Sequence, residues 1–479
     1  MMRSPRWTHA VALALACQAV VVRAAPEAPN APVPQVVPLA SAVGLVDIWQ
    51  AAMRHDKTLA VADAAHAAAQ PRRDQAAALW RPQLALTTSV GIAASNTGTQ
   101  GAQFSAPGFG TSRDVAFATS VNSGLAGRAA LTLVQPLVNP ARRAQQMQIG
   151  LGVDIADAQW QADQQALMLR TAERYFDLAL AEEALRVQQR QLLAVQRAST
   201  EAQDRFTLGA VAVTDTYEAQ ARLGGVRAQH MAAGVDLRLK RQWLADSSGL
   251  AADDLQARLP LGQMRALPAP TLDAALAEAE AGNPGLRLRR LALDMAQHDA
   301  ARHARRAAIT VDVVAQLAQE RLSGQGDFGN ASNRAGNRSI GLQLTVPLLD
   351  GGARDARQRE AQRQAEQAAA DLDNSREQVA QQVRAAWLGL SVGGERLTAL
   401  AQALQAAQSR RDATALGREV GHRTTLDLLN AENDHAGAQL ALAQARVGLV
   451  MARLQLAALA GALDAQALRA VDLDAAPLP

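Results

Sequence analysis

The 479-residue sequence predicts an α+β membrane protein. Four strands per chain would need further copies to close a β-barrel, twelve strands from three copies, and each pair of strands runs on into very long coiled-coil helices. Three observations predict this fold. The chain repeats itself once. Each repeat joins alternating strands directly to a very long helix. The N-terminus reads as an export signal.

The stretch "MMRSPRWTHAVALALACQAVVVRAAPEAP" has a positive start (Arg3, Arg6) and a short apolar run, Ala10 to Val22. Small residues allow cleavage near Ala24, so residues 1–24 are expected to be a signal peptide. The apolar run is too short to span a bilayer. Cys17 is the single cysteine and lies inside this segment. Ala14 stands where a lipidation motif wants leucine, so lipidation is not expected, and a mature chain without thiol can form no disulfide. Residues 25–43 are proline-rich and predict an extended arm.

From there the chain echoes itself, in order, with a unit of roughly 210–225 residues. "LTLVQPLVNPARRAQ" at 131–145 returns as "LQLTVPLLDGGARDA" at 342–356. "RFTLGAVAVTDTYEAQARL" at 205–223 returns as "LGREVGHRTTLDLLNAEND" at 416–434. The repeats are read as 44–250 and 271–462, with a linker at 251–270 and a tail at 463–479.

Each repeat opens with one helix (about 44–80, then 271–306). An alternating strand follows, with Leu84, Leu86 and Thr88 on one side, then Ile309, Val311 and Val313 in the second copy. Gly/Ser/Asn-rich stretches at 92–126 and 318–337 read as loops. A second strand then leads into a helix at about 141–208 or 353–416, and after a glycine a last helix at 213–246 or 425–461. Roughly 65 residues at about 1.5 Å each make a rod of about 100 Å. Val379, Val383, Ala386, Leu390, Gly393, Leu397 and Leu400 keep heptad-like spacing. A solvent-exposed coiled coil would explain the helices but not the strands at their heads.

Strands of about ten residues cross a bilayer when tilted. Four strands cannot close a barrel, and open edges cannot face lipid. The usual aromatic girdles are nearly missing: Trp80, Phe104, Phe109, Phe117 and Phe328 are the rings near the strands and loops.

The duplicated unit, the joins "QPLVNPARRAQ" and "VPLLDGGARDA", and "LGREVGHRTTLDLLNAENDHAGAQLALAQARVGL" at 416–449 resemble the TolC family of outer-membrane channel-tunnels. The resemblance spans about 44–462. It implies a homotrimer in the outer membrane of a Gram-negative bacterium, with its barrel in outer-membrane lipid and its tunnel in the periplasm. It also implies an inner-membrane ABC transporter and a periplasmic membrane-fusion adaptor as partners. Within the family the chain is more similar to exporters of type I protein secretion, with a protein such as an RTX toxin as cargo. Small-molecule efflux is the alternative, and a periplasmic coiled-coil scaffold a further one.

By the same resemblance, Thr214, Asp215, Arg418 and Arg423 form a latch at the periplasmic entrance, Arg418 standing where the family has tyrosine. Asp427 and Asn430 occupy an acidic entrance ring in which the family has two aspartates, so one carboxylate per chain is expected here. An arginine fork suits paired acceptors. A plain structural reading stands beside this one. Thr424 with Asp427, and Asp215 with Glu218, have capping-box spacing, and Gly421 reads as a helix-ending glycine. Asp434 offers a further acidic level one heptad on.

The remaining classes find no support. Eight histidines are scattered, and no HExxH, CxxC, GxSxG or phosphate-loop context appears. "GQGDFGNASNRAGN" at 324–337 lacks calcium-loop spacing and reads as a surface loop. No enzyme, metal or cofactor is expected. A net charge of +3 without basic clusters interleaved with aromatics gives nucleic-acid binding no support.

Overall fold

The computed structural model describes residues 44–260, 270–303, 309–327 and 329–473. The expected signal peptide, the proline-rich arm, Phe328 and residues 261–269 of the linker lie outside them.

The first repeat runs α1 (Leu45–His55), α2 (Lys57–Ala69), α3 (Arg72–Ala78), β1 (Gln83–Ala106) and β2 (Gly110–Val138). It continues with α4 (Pro140–Thr207) and α5 (Val213–Ser248). The second runs α6 (Leu272–Gly282), α7 (Pro284–Arg302), β3 (Thr310–Gly326), β4 (Gly329–Thr345), α8 (Ala353–Glu419) and α9 (Thr425–Leu459). A last helix, α10 (Ala465–Leu473), occupies the segment read as a tail.

The single helix expected to open each repeat is broken at the same place in both copies. Asp56 and Asn283 have φ/ψ of −60°/121° and −60°/122°. Each ends one helix and caps the next, accepting from the amide of Leu59 or Leu286 at 3.0 Å. Burial pushes the Asp56 carboxyl up, but the Leu59 amide and Arg170, at 2.9 Å, outweigh it and leave its pKa below the usual carboxylate value.

The four strands form one antiparallel meander in the order β1-β2-β3-β4, with β1 and β4 as open edges. They are longer than the expected ten residues, at 24, 29, 17 and 17. The stretches read as loops are mostly ladder: β1 pairs with β2 from Gln83↔Val134 out to Ala106↔Gly110. Backbone pairing needs no apolar side chains, so glycine- and serine-rich arms extend the hairpins once the strand bases are in register. The segment read as a surface loop at 324–337 likewise holds the end of β3 and about half of β4.

Leu84 lies opposite Leu133, which lies opposite Ala315, which lies opposite Ile340. This face is apolar and open, with Leu84 63% and Leu342 72% exposed. The opposite face carries Ser89, Arg128, Glu320 and Ala335 in one such row. Phe104 and Phe117 are half-exposed on β1 and β2, and Trp80 donates to Gln146 at 2.9 Å.

The helices pair as two hairpins, α4 with α5 and α8 with α9, while α7 packs between α4 and α8. Gly393 lets α9 approach closely, since a Cβ there would meet Leu449. The largest core lies midway along the rods. Tyr175, Phe176 and Leu178 of α4 pack with Leu45 and Ile48 of α1, Leu244 of α5, Val450 and Leu454 of α9, and Leu468 of α10. Burying these side chains contributes about 1.5–3 kcal/mol each. The helix α9 alone among the described residues is long and apolar enough to cross a membrane, and a third of its apolar window is buried inside the fold. Leu442, Val447, Val450 and Leu454 are among its buried side chains.

Candidate functional site

Both helical hairpins turn by the same backbone device. At the first tip Gly209 (φ 75°) follows α4, and Ala210 donates back to the Arg205 carbonyl at 2.8 Å. At the second, Gly421 (φ 78°) follows α8, and His422 donates back to the Gly417 carbonyl at 2.8 Å. Glycine tolerates this left-handed φ without a Cβ clash, and the bond across five residues satisfies a carbonyl left over at the helix end.

The helices leaving these turns start differently. Thr424 caps α9: its hydroxyl accepts from the Asp427 amide at 3.1 Å, and the Asp427 carboxylate accepts from the Thr424 amide at 3.0 Å. The capping box read from sequence forms here. The one read at Asp215 and Glu218 does not. Helix α5 begins at Val213 with Ala212 as an N-cap that has no side-chain bond. That start places Asp215 at the third helical position, where its charge favours the helix dipole. Thr214 lies next to it, its hydroxyl 3.5 Å from the Asp215 carboxylate.

The fold brings the two tips together. Asp215 and Glu218 of α5 and Thr424, Thr425 and Leu426 of α9 line one small cleft of about 100 Å³. Beneath it Leu429 is buried among Val195, Ala198, Ala202, Ala219 and Val226. Arg418 is mostly buried and pairs with Glu201 of α4 at 2.7 Å; Glu201 also holds Arg205 at 3.0 Å. Glu201 was not read from sequence. Its spacing to Arg205 suggests only an ordinary helical pair, and its partner in α8 lies more than two hundred residues away.

Arg423 drapes over Gly417, where an added Cβ would lie 2.9 Å from its Cγ. The Thr424 amide and then its hydroxyl hold the Asp427 carboxyl below the usual range, and the charges of Arg423 and Arg410 add to this. Asn430 is exposed one turn further along α9. Asp434 is occupied by Arg410 at 2.7 Å. Beside it burial pushes the Glu432 carboxyl up, and burial with the charges of Arg411 and Arg190 pushes His435 down. Among the described residues, no group of His, Cys, Asp and Glu is placed to hold a metal ion.

The family described as Outer membrane efflux protein matches residues 48–250 and 275–462. The chain is 29% identical to Outer membrane protein TolC of Escherichia coli (strain K12) over 363 residues, 74% of this chain and 73% of that one. It is 27% identical over 436 residues to Alkaline protease secretion protein AprF of Pseudomonas aeruginosa, covering 89% and 86% of the two chains. Its fold superposes on the outer-membrane channel OprN with a TM-score of 0.69, at 20% identity, covering 87% and 90%. The duplicated hairpins, the strand-to-helix joins and these matches agree: the chain belongs to the outer membrane efflux protein family, non-enzymatic channels of the Gram-negative outer membrane.

Proposed function

We propose that three copies of this chain assemble into one exit duct, a twelve-stranded barrel in the outer membrane continuous with a periplasmic tunnel. The observation that carries this reading is the sheet. It has four strands, one exposed apolar face and two unpaired edges. Lipid tolerates the face but not the edges, so edge β4 of one copy pairs with β1 of the next. Helices of 68 and 67 residues give the duct a reach of about 100 Å below the barrel. Cross-linking of the purified protein is expected to trap trimers. Only monomers would overturn the reading.

The duct serves type I secretion of a protein such as an RTX toxin, fed by an inner-membrane ABC transporter through a periplasmic membrane-fusion adaptor. The match across most of the chain to a protease secretion protein supports this. The family's own description, efflux, keeps a second reading open: a duct for small molecules. Deleting the gene separates them. Secretion predicts a protein missing from the medium with unchanged drug sensitivity; efflux predicts the reverse.

Thr214, Asp215, Arg418 and Arg423 act as the closing residues at the entrance, with Glu201 holding Arg418. Asp427 supplies the charge of the entrance ring, and Asn430 leaves its second level uncharged. Arg423→Ala is expected to raise single-channel conductance in a planar bilayer. Unchanged conductance would remove Arg423 from the latch.

A further inference from the structure

The two joins between sheet and helix meet the end of α7 around an open cavity of about 590 Å³. Arg142, Arg302, Arg354 and Arg357 line it, with Asn139 and Asp350 between them. The helix starts here are already served. Asn139 accepts from the Arg142 amide at 2.9 Å, and Asp350 accepts from the Gly352 and Arg354 amides at 3.2 Å each. The guanidinium groups are therefore the donors in question.

They are only partly engaged. Arg142 donates Nη1 to the Leu79 carbonyl at 2.7 Å. Arg302 donates to Gln148 at 3.1 Å and pairs with Asp299 at 3.1 Å. The Nε of Arg354 stays 3.9 Å from Asp350. Arg357 is exposed and has no ion pair among the described residues. Four guanidinium groups thus line the cavity with one carboxylate, Asp350, while Asp299 holds Arg302 from outside the lining. A planar fork of this kind matches a phosphate group, and a cleft of this size admits a chain of two or three of them.

The side of the sheet decides which phosphate. Thr310 also lines the cavity and lies opposite Thr345 in the ladder. It shares its face with Asp312, Gln316 and Glu320, while Leu342 and Leu344 belong to the other, apolar face. The cavity therefore opens below the polar face, away from the face suited to lipid.

We propose that this cavity is a binding site for phosphate-bearing anions on the conducting wall, one per chain, just below the barrel. The proposal rests on reading the polar face as the inside of the duct. It would place a basic belt in the path of polyanionic solutes, well above the acidic ring at the entrance.

The test is calorimetric titration of the purified full-length protein in detergent with sodium tripolyphosphate, at low and high salt. One saturable site per chain is expected, weakened by salt. Arg357→Gln is expected to lower affinity by about tenfold and the double variant Arg354→Gln/Arg357→Gln by more, while Arg357→Lys keeps part of it. The exposed Arg357 makes the single variant safe to fold. In a second arm, native mass spectrometry compares protein released from phosphatidylglycerol and from phosphatidylcholine vesicles. Equal lipid retention by parent and double variant supports the solute reading. Unchanged tripolyphosphate affinity in the double variant overturns the site. So does phosphatidylglycerol retained by the parent and lost by the double variant, which would mark a lipid headgroup instead. Cross-linked trimers that bind no anion would overturn this site alone; monomers would overturn the duct and leave the titration to stand by itself.

Discussion

At the first tip the chain turns through Gly209 into a helix whose N-cap, Ala212, has no side-chain bond. At the second it turns through Gly421 into a helix closed by the Thr424–Asp427 box. The glycines lie 212 positions apart, and the same offset pairs Ala212 with Thr424, Asp215 with Asp427, Tyr217 with Leu429 and Phe206 with Arg418. Backbone geometry has survived duplication here while side-chain chemistry has diverged. The first tip exposes Tyr217 (64%) where the second buries Leu429 (2%). The first exposes part of Phe206 where the second hides Arg418 against Glu201. The second tip therefore holds a buried ion pair and a capping box that the first lacks.

The sharpest way to break this contrast is to empty the buried position. Leu429→Ala is expected to cost about 2–4 kcal/mol of local stability, against about 0.5 kcal/mol or less for Tyr217→Ala. Hydrogen exchange of the amides at the start of α9 and of α5 measures both. Equal loss at the two tips would show that they are not differently packed.

Exchanging the polar pair comes next. Arg418→Ala leaves Glu201 with Arg205 alone and is expected to raise single-channel conductance, whereas Phe206→Ala leaves it unchanged. Single-channel recording decides, and a larger effect of Phe206 would remove Arg418 from the proposed latch. A smaller effect separates the caps. Thr424→Ala should weaken the start of α9 by about 1 kcal/mol, and Ala212→Ser should strengthen α5 by a similar or lesser amount. Exchange rates of the first helical turns report each.

The smallest effect is that of pH. Asp427 has a folded pKa below the ordinary carboxylate value. Its contribution is therefore complete above that ordinary value and disappears as pH falls through the folded one. Exchange protection at α9 should drop in acid by more than at α5, and Asp427→Asn should abolish the difference. Equal acid sensitivity in parent and variant would assign the effect to another group.

Much of this was legible in the residues. Heptad-like spacing marked the second long helix, and both long helices lie within a few positions of their expected bounds, because a helical period and a glycine stop are local signals. Period-2 alternation located the strand bases at Leu84 and Leu342 for the same reason. The strand arms were not legible: Gly, Ser and Asn are turn-formers by composition, and only a partner strand makes them extended. Glu201 stayed hidden because it looks like a partner for Arg205, four residues on, while its second partner comes from the other repeat.

What the sequence determined alone was the succession of strand base, long helix and last helix in each copy, the two glycine turns and the cap at Thr424. Each depends on neighbours within a few residues. Tertiary structure decided which of two equivalent tips buries its apolar side chain, which acid holds Arg418, and how four arginines from three segments come to line one cavity. Those depend on contacts between residues hundreds of positions apart, and burial and charge pairing take their strength from where the chain folds, not from its order.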